Sequence, residues 1–228
     1  MGANRFEQRA ASALGVFRPS FIKALLRGES RDVLRWHRKG HPAPAPPSIK
    51  MQVFEAYAEA YKLPVFIETG TYHGDTPFRL RDRFEEIHTI ELSPELYQIA
   101  KKKLGSIPNI SQHLGDSSEV LSDLLKKLTR RCFFWLDGHY SGGVTAKGKL
   151  ECPLHDELTL ICAHPIKDHL ILVDDARHFG VKPDYPTLQE LTDIAATGGY
   201  EPELHYDILC LIPKGGRRLK TELQRLKQ

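Results

Sequence analysis

Five short apolar runs, each closing on an acid, constrain this chain more than any other feature. Val65-Phe66-Ile67 runs into Glu68, Ile87–Ile90 into Glu91, Asn109–Leu114 is followed by Asp116, Cys132–Leu136 by Asp137, and Leu170–Val173 by Asp174 and Asp175. Runs of this length, separated by stretches of helical period, read as strands of a parallel sheet covered on both faces. Cys132-Phe-Phe-Trp-Leu136 is the plainest case, because it has no polar position to offer to water. After residue 199 the alternation changes. Glu203–Tyr206 and Ile208–Ile212 have almost nothing between them, and a parallel pair would need a crossover of about a dozen residues, so they form an antiparallel hairpin. The expected fold is α/β: a doubly wound, mostly parallel seven-stranded sheet with a C-terminal antiparallel hairpin, preceded by a helical arm.

Helix signals fill the gaps. Ser48 is a candidate cap for a helix over about 49–62, with Val53, Phe54, Tyr57 and Tyr61 on one stripe. A helix is expected from the first loop to about Phe84. Ser93-Pro94 starts one that runs to Leu104, and Asp116-Ser-Ser-Glu119 has capping-box form before one that ends near Leu128. Further helices follow Pro153 and Thr187, the latter stopping at Gly198-Gly199. Upstream, residues 3–39 read as short basic helices, and His41-Pro-Ala-Pro-Ala-Pro-Pro47 is a stiff connector that no helix crosses. The division is therefore an arm and linker over 1–47, a main domain over 48–213 and a basic tail over 214–228. So short an apolar segment needs a surface to cover it, which makes the arm a lid or a contact in a homo-oligomer.

Charge is divided along the same lines. Residues 1–41 carry +6 and residues 214–228 carry +5 of a net +3, which leaves −8 on the body between them. Basic ends could meet an anionic partner, including a peripheral membrane surface, or simply be solvated helix faces. No aromatic-interleaved basic strand points to nucleic acid, and no stretch approaches the apolar length of a transmembrane segment. The four cysteines show neither a CxxC pair nor metal-type spacing, as expected of reduced thiols in a cytoplasmic protein.

In an open parallel sheet, ligands bind beyond the carboxyl ends of the strands. A rim of acids there repels a pyrophosphate and suits a cation. The loop Glu68-x-Gly70-x-x-x-Gly74 agrees, since it lacks the GxGxxG spacing that seats a dinucleotide phosphate on a helix N-terminus. S-adenosylmethionine, with a sulfonium, an ammonium and ribose hydroxyls, fits such a rim. Glu91 lies 21 residues after Gly70, near the spacing of a ribose-binding acid in either cofactor class.

The motifs Glu68-Thr-Gly-Thr-Tyr-His-Gly-Asp-Thr76, Ile90-Glu-Leu-Ser-Pro94, Gly115-Asp116, Leu136-Asp-Gly-His-Tyr-Ser-Gly-Gly-Val144 and Val173-Asp-Asp175 stand in the order found in class I S-adenosylmethionine-dependent methyltransferases. Over roughly residues 50–213 the chain most resembles their macrocin O-methyltransferase-like group. The resemblance implies that Glu68, Gly70 and Gly74 flank the methionine part of the cofactor, that Glu91 holds the ribose, and that Asp116 with Ser117 lies beside the adenine. It departs from the common GxGxG loop at Thr71–His73.

Asp137, Asp174 and Asp175 come from adjacent strand ends and could meet as hard oxygen ligands for Mg²⁺ or another divalent cation, or serve only as loop caps; the resemblance implies the metal. Methyl transfer to an alcohol also needs a proton acceptor. His139 is the first candidate, beside Asp137 at the strand end, itself also counted among the catalytic and cofactor-binding residues, and His178 the second; His73 packs or caps. The glycines of 138–148, with Lys147 and Lys149, suggest a loop over the acceptor, where Tyr72 and Tyr140 would line the pocket while Trp135 belongs to the core. The expected activity is metal-assisted O-methylation of a small-molecule hydroxyl, such as one on a sugar or natural product. A hydroxylase-like or hydrolytic relative on the same scaffold, or a non-catalytic binding module tethered by the arm, are the alternatives.

Overall fold

The computed structural model describes residues 28–138, 152–182 and 184–219. Its elements in chain order are α1 (Arg31–Lys39), α2 (Pro47–Tyr61), β1 (Val65–Thr69), α3 (Asp75–Leu80), β2 (Glu86–Glu91), α4 (Pro94–Leu104), β3 (Ile110–Leu114), α5 (Ser117–Leu125), β4 (Cys132–Leu136), α6 (Leu154–Ala163), β5 (Leu170–Val173), a short 3₁₀ turn (Ala176–His178), α7 (Leu188–Thr197), β6 (Tyr200–His205) and β7 (Ile208–Pro213). The strands form one sheet in the order β3-β2-β1-β4-β5-β7-β6. The first five are parallel, and β7 runs antiparallel to both β5 and β6. This is the expected doubly wound sheet with its reversed C-terminal hairpin.

The period of two along each strand sorts side chains into two cores. Val65, Ile67, Phe134, Leu136, Ile171 and Val173 face α5, α6 and α7, where Leu121, Leu158, Ile161 and Leu191 cover them. Phe66, Phe133, Trp135, Leu170 and Leu172 face α2 and α3, against Phe54, Tyr57 and Leu80. β1, β4 and β5 are buried at every position, as a strand covered on both faces must be. Trp135 is core, edge-on to Phe54 at 4.3 Å between ring centroids. All four cysteines are free and buried.

Boundaries differ from the sequence expectation where local chemistry overrode it. α2 begins at Pro47, with Pro46 as the cap residue and no side-chain cap bond, so Ser48 lies inside the helix. Proline at the first helical position loses no needed donor and already has a helical φ. α3 stops at Leu80, short of Phe84, and α5 stops at Leu125, capped by Asp116. α1 packs through Val33 and Trp36 on Ala45 and Ile49, and Trp36 meets Tyr206 edge-on at 5.3 Å. The described part of the arm thus lies against the tip of the β6–β7 hairpin.

Candidate functional site

Strand order reverses between β1 and β4, which opens a crevice at their carboxyl ends. Gly70 turns there with φ +85°, and a Cβ on it would stand 2.5 Å from the Asp137 carbonyl oxygen. Only glycine permits both the backbone sign and the approach. Gly74, φ +72°, closes the loop, where a Cβ would meet Leu104 at 2.8 Å. Tyr72 is also left-handed, with φ 49°, and half exposed; its ring stacks on His73.

The acids around this loop are fixed differently. Glu91 accepts the Tyr72 N–H at 2.8 Å and the Ser93 N–H at 2.9 Å, one on each carboxylate oxygen. Each oxygen keeps acceptor capacity for a further donor. Glu68 is 2% exposed and accepts the Thr89 hydroxyl at 2.7 Å. Burial pushes its pKa up to about 8, because a charge in that position has lost its water. Asp116 caps α5, taking the Ser118 N–H at 3.0 Å and its hydroxyl at 2.6 Å.

Glu157 is a site residue that was not singled out from the sequence. It is 1% exposed on α6, with the Thr69 hydroxyl at 3.5 Å and one carboxylate oxygen lacking a hydrogen-bond partner. Burial pushes its pKa up to about 7. It lines a small cleft with Gly138, Asp174, Phe179 and Tyr185. The spacing Leu154, Glu157, Leu158, Ile161 places it on the apolar face of its helix, and that was the available signal.

At the ends of β4 and β5 the structure gathers more acids. Asp174 and Asp175 are buried, and Asp175 adopts φ 60°. Asp207 joins them from the hairpin turn, whose two residues Tyr206 and Asp207 both have positive φ, 49° and 79°, as two-residue hairpins of matching twist require. Oxygens of Asp174, Asp175 and Asp207 lie within 4.8 Å of one another. Asp137 stands beside this trio, and burial together with the Asp174 charge raises its pKa well above the usual carboxylate range. Of the expected trio of Asp137, Asp174 and Asp175, only the last two belong to this group; Asp207, which the sequence did not single out, stands in it where Asp137 was expected.

Cations are already in place among these acids. Lys50 Nζ, from the first turn of α2, donates to Asp174 and lies 3.8 Å from Asp175 Oδ1. Arg177 donates to Asp175 at 2.5 Å and also to Asp207. Oxygen donors of this kind suit Mg²⁺ in type, but each carboxylate of the trio faces a protein cation, so the set does not fit a divalent ion while Lys50 stays where it is. His178 Nε2 is 4.0 Å from Asp175 Oδ2, and its ring packs edge-on against Tyr185. His139, Tyr140, Lys147, Lys149 and the glycines at 142, 143 and 148 lie outside the described residues.

No family model matches the chain, and no curated protein matches it in sequence. Its backbone does match solved structures. The O-methyltransferase TomG of Streptomyces achromogenes, involved in tomaymycin synthesis and solved with SAM, superposes with a TM-score of 0.52 at 15% identity, over 93% of this chain and 99% of that one. An O-methyltransferase of Bacillus cereus solved with SAH gives 0.54 at 12% identity, over 91% and 97%. The SAH-bound methyltransferase PaMTH1 of Podospora anserina gives 0.52 at 15% identity, over 96% and 97%. With its seven-stranded sheet and reversed hairpin, the chain has the class I methyltransferase fold.

Proposed function

We propose that this chain is an S-adenosylmethionine-dependent O-methyltransferase acting on a hydroxyl of a small molecule. The observation that carries the reading is the crevice at the strand reversal, where a glycine turn packed on the Asp137 backbone lies between two anchored acids, Glu68 and Glu91. Glu68, Gly70 and Gly74 would hold the methionine part of the cofactor, Glu91 the ribose hydroxyls, and Asp116 with Ser117 the adenine. When bound, the cofactor supplies a methyl group on a positively charged sulfur. The chain's part is to orient that group in an acidic cleft and to take the proton that an alcohol must lose to become a useful nucleophile. His139 is the first candidate for that proton; among the described residues His178 and Asp137 are the others.

The shared fold of proteins solved with SAM or SAH supports the cofactor class; fold alone would not assign an activity. Thermal unfolding with SAH or with NAD⁺ separates the readings. SAH should raise the melting temperature and NAD⁺ should leave it unchanged, since anything that binds only the folded state stabilises it. The opposite pattern would overturn the assignment.

A further inference from the structure

The acidic pocket at the ends of β4 and β5 is the place where a divalent ion would sit, and the chain puts its own ammonium there. Lys50 is well placed to hold this position. The spacing of Lys50, Val53, Phe54 and Tyr57 sets it on the inward face of α2, above residues that are fully or almost fully buried. Its side chain is only 18% exposed, although an unpaired lysine tip normally seeks water. It bonds Asp174 and faces Asp175, while Arg177 ties Asp175 to Asp207.

We propose that Lys50 is the resident cation of this pocket, standing where a metal ion would otherwise bind, so that the site works without a divalent ion. Charge and space both favour this. A lysine ammonium is a compact point charge with three donors. Once it is seated on Asp174, a divalent ion must either displace it, leaving a partly buried ammonium unpaired, or bind beside it against its charge. Breaking a buried pair by removing one partner is costly. Deleting the ammonium should have the converse effect: three close carboxylates retain one fixed cation, Arg177, and become a site for a hard ion. Lys50 is thus a positioning residue that fixes Asp174 and sets the charge beside Asp137. The methyl-transfer reading supplies the chemistry this serves, but the exclusion of metal does not depend on it.

The test uses Mn²⁺ as the probe, tracked by its electron paramagnetic resonance signal on the full chain, with SAH binding measured on the same samples. Wild type should leave Mn²⁺ free at submillimolar concentration. Lys50→Met, which keeps the apolar stem, should bind Mn²⁺ at least about tenfold more tightly than wild type, and Lys50→Arg should behave as wild type. Tight Mn²⁺ binding by wild type would overturn the proposal whatever the variants do, as would a folded Lys50→Met that gains no Mn²⁺ affinity. Failure of wild type to bind SAH would overturn the methyl-transfer reading instead and leave the metal result standing.

Discussion

At Gly70, one methyl group should be enough to disable the crevice. Alanine there must adopt φ +85° and place its Cβ 2.5 Å from a backbone oxygen that cannot swing away. Gly70→Ala should lower stability by about 1–3 kcal/mol, as strained backbone positions do, and abolish SAH binding, which thermal unfolding and calorimetry would show together. Gly74→Ala meets a side chain, Leu104, which can shift, so its loss of affinity should be smaller. Glu68 gives a pH prediction. Its folded pKa near 8 lies above the ordinary 4.5, so the folded state holds the extra proton. Its contribution to stability is full below pH 4.5 and is lost as pH rises to 8. Glu68→Gln should remove that alkaline fall. A cationic cofactor beside Glu68 favours its ionised form, so SAM binding near pH 7 should release protons, detectable as a dependence of the calorimetric heat on the buffer. These acids were legible because a residue at the end of an apolar run has its place set by the strand. Lys50, Glu157 and Asp207 were less so, since a polar residue within a helical stripe or at a hairpin turn gains its meaning only from what the tertiary fold puts opposite.

The strands were the most legible elements, and β4 and β5 fall on the expected residues because apolar runs of only four or five residues suit a strand covered on both faces better than a helix. Helix ends were less so: α3 stops four residues early, and α2 is set by Pro47 rather than Ser48. Capping competes among several nearby candidates, and small energies decide it. Between β4 and β5 a buried relay adds a stability test. The Cys132 N–H donates to His169 Nδ1 at 3.0 Å, and His169 Nε2 lies 3.0 Å from His164 Nδ1. Burial depresses the His169 pKa to about 4 from 6.5. A histidine held neutral in this way contributes stability above pH 6.5 that is lost as pH falls towards 4. His169→Asn should be less stable at neutral pH and show a flatter acid limb in the melting temperature. On the arm, Trp36→Ala removes a buried indole that covers the hairpin tip and donates to the Pro42 carbonyl at 2.8 Å. A loss of about 3–5 kcal/mol is expected from such a truncation, read as a lowered denaturant midpoint.

Over the whole molecule, the uneven charge seen in the sequence gains a structural sense. The acidic body concentrates carboxylates at one edge of the sheet, where Lys50 and Arg177 offset part of the charge. Some of the basic C-terminal segment is also spent within the chain, since Arg218 pairs with Glu201 and Glu203 on β6. Among the described residues no helix is long and apolar enough to cross a membrane. The doubly wound topology was legible from the order of runs, because sequential strands with helical connections admit few arrangements. The acidic pocket was not, because it depends on how residues distant in sequence, such as 50, 137, 174 and 207, close on one another. The proposed function requires that the crevice between β1 and β4 bind S-adenosylmethionine through Glu91. Calorimetric titration of the full chain with SAH tests it most directly. The expected result is one site per chain, with affinity weakened at least about tenfold, or 1.4 kcal/mol, in Glu91→Ala. Absence of binding, or binding that Glu91→Ala leaves untouched, would contradict it.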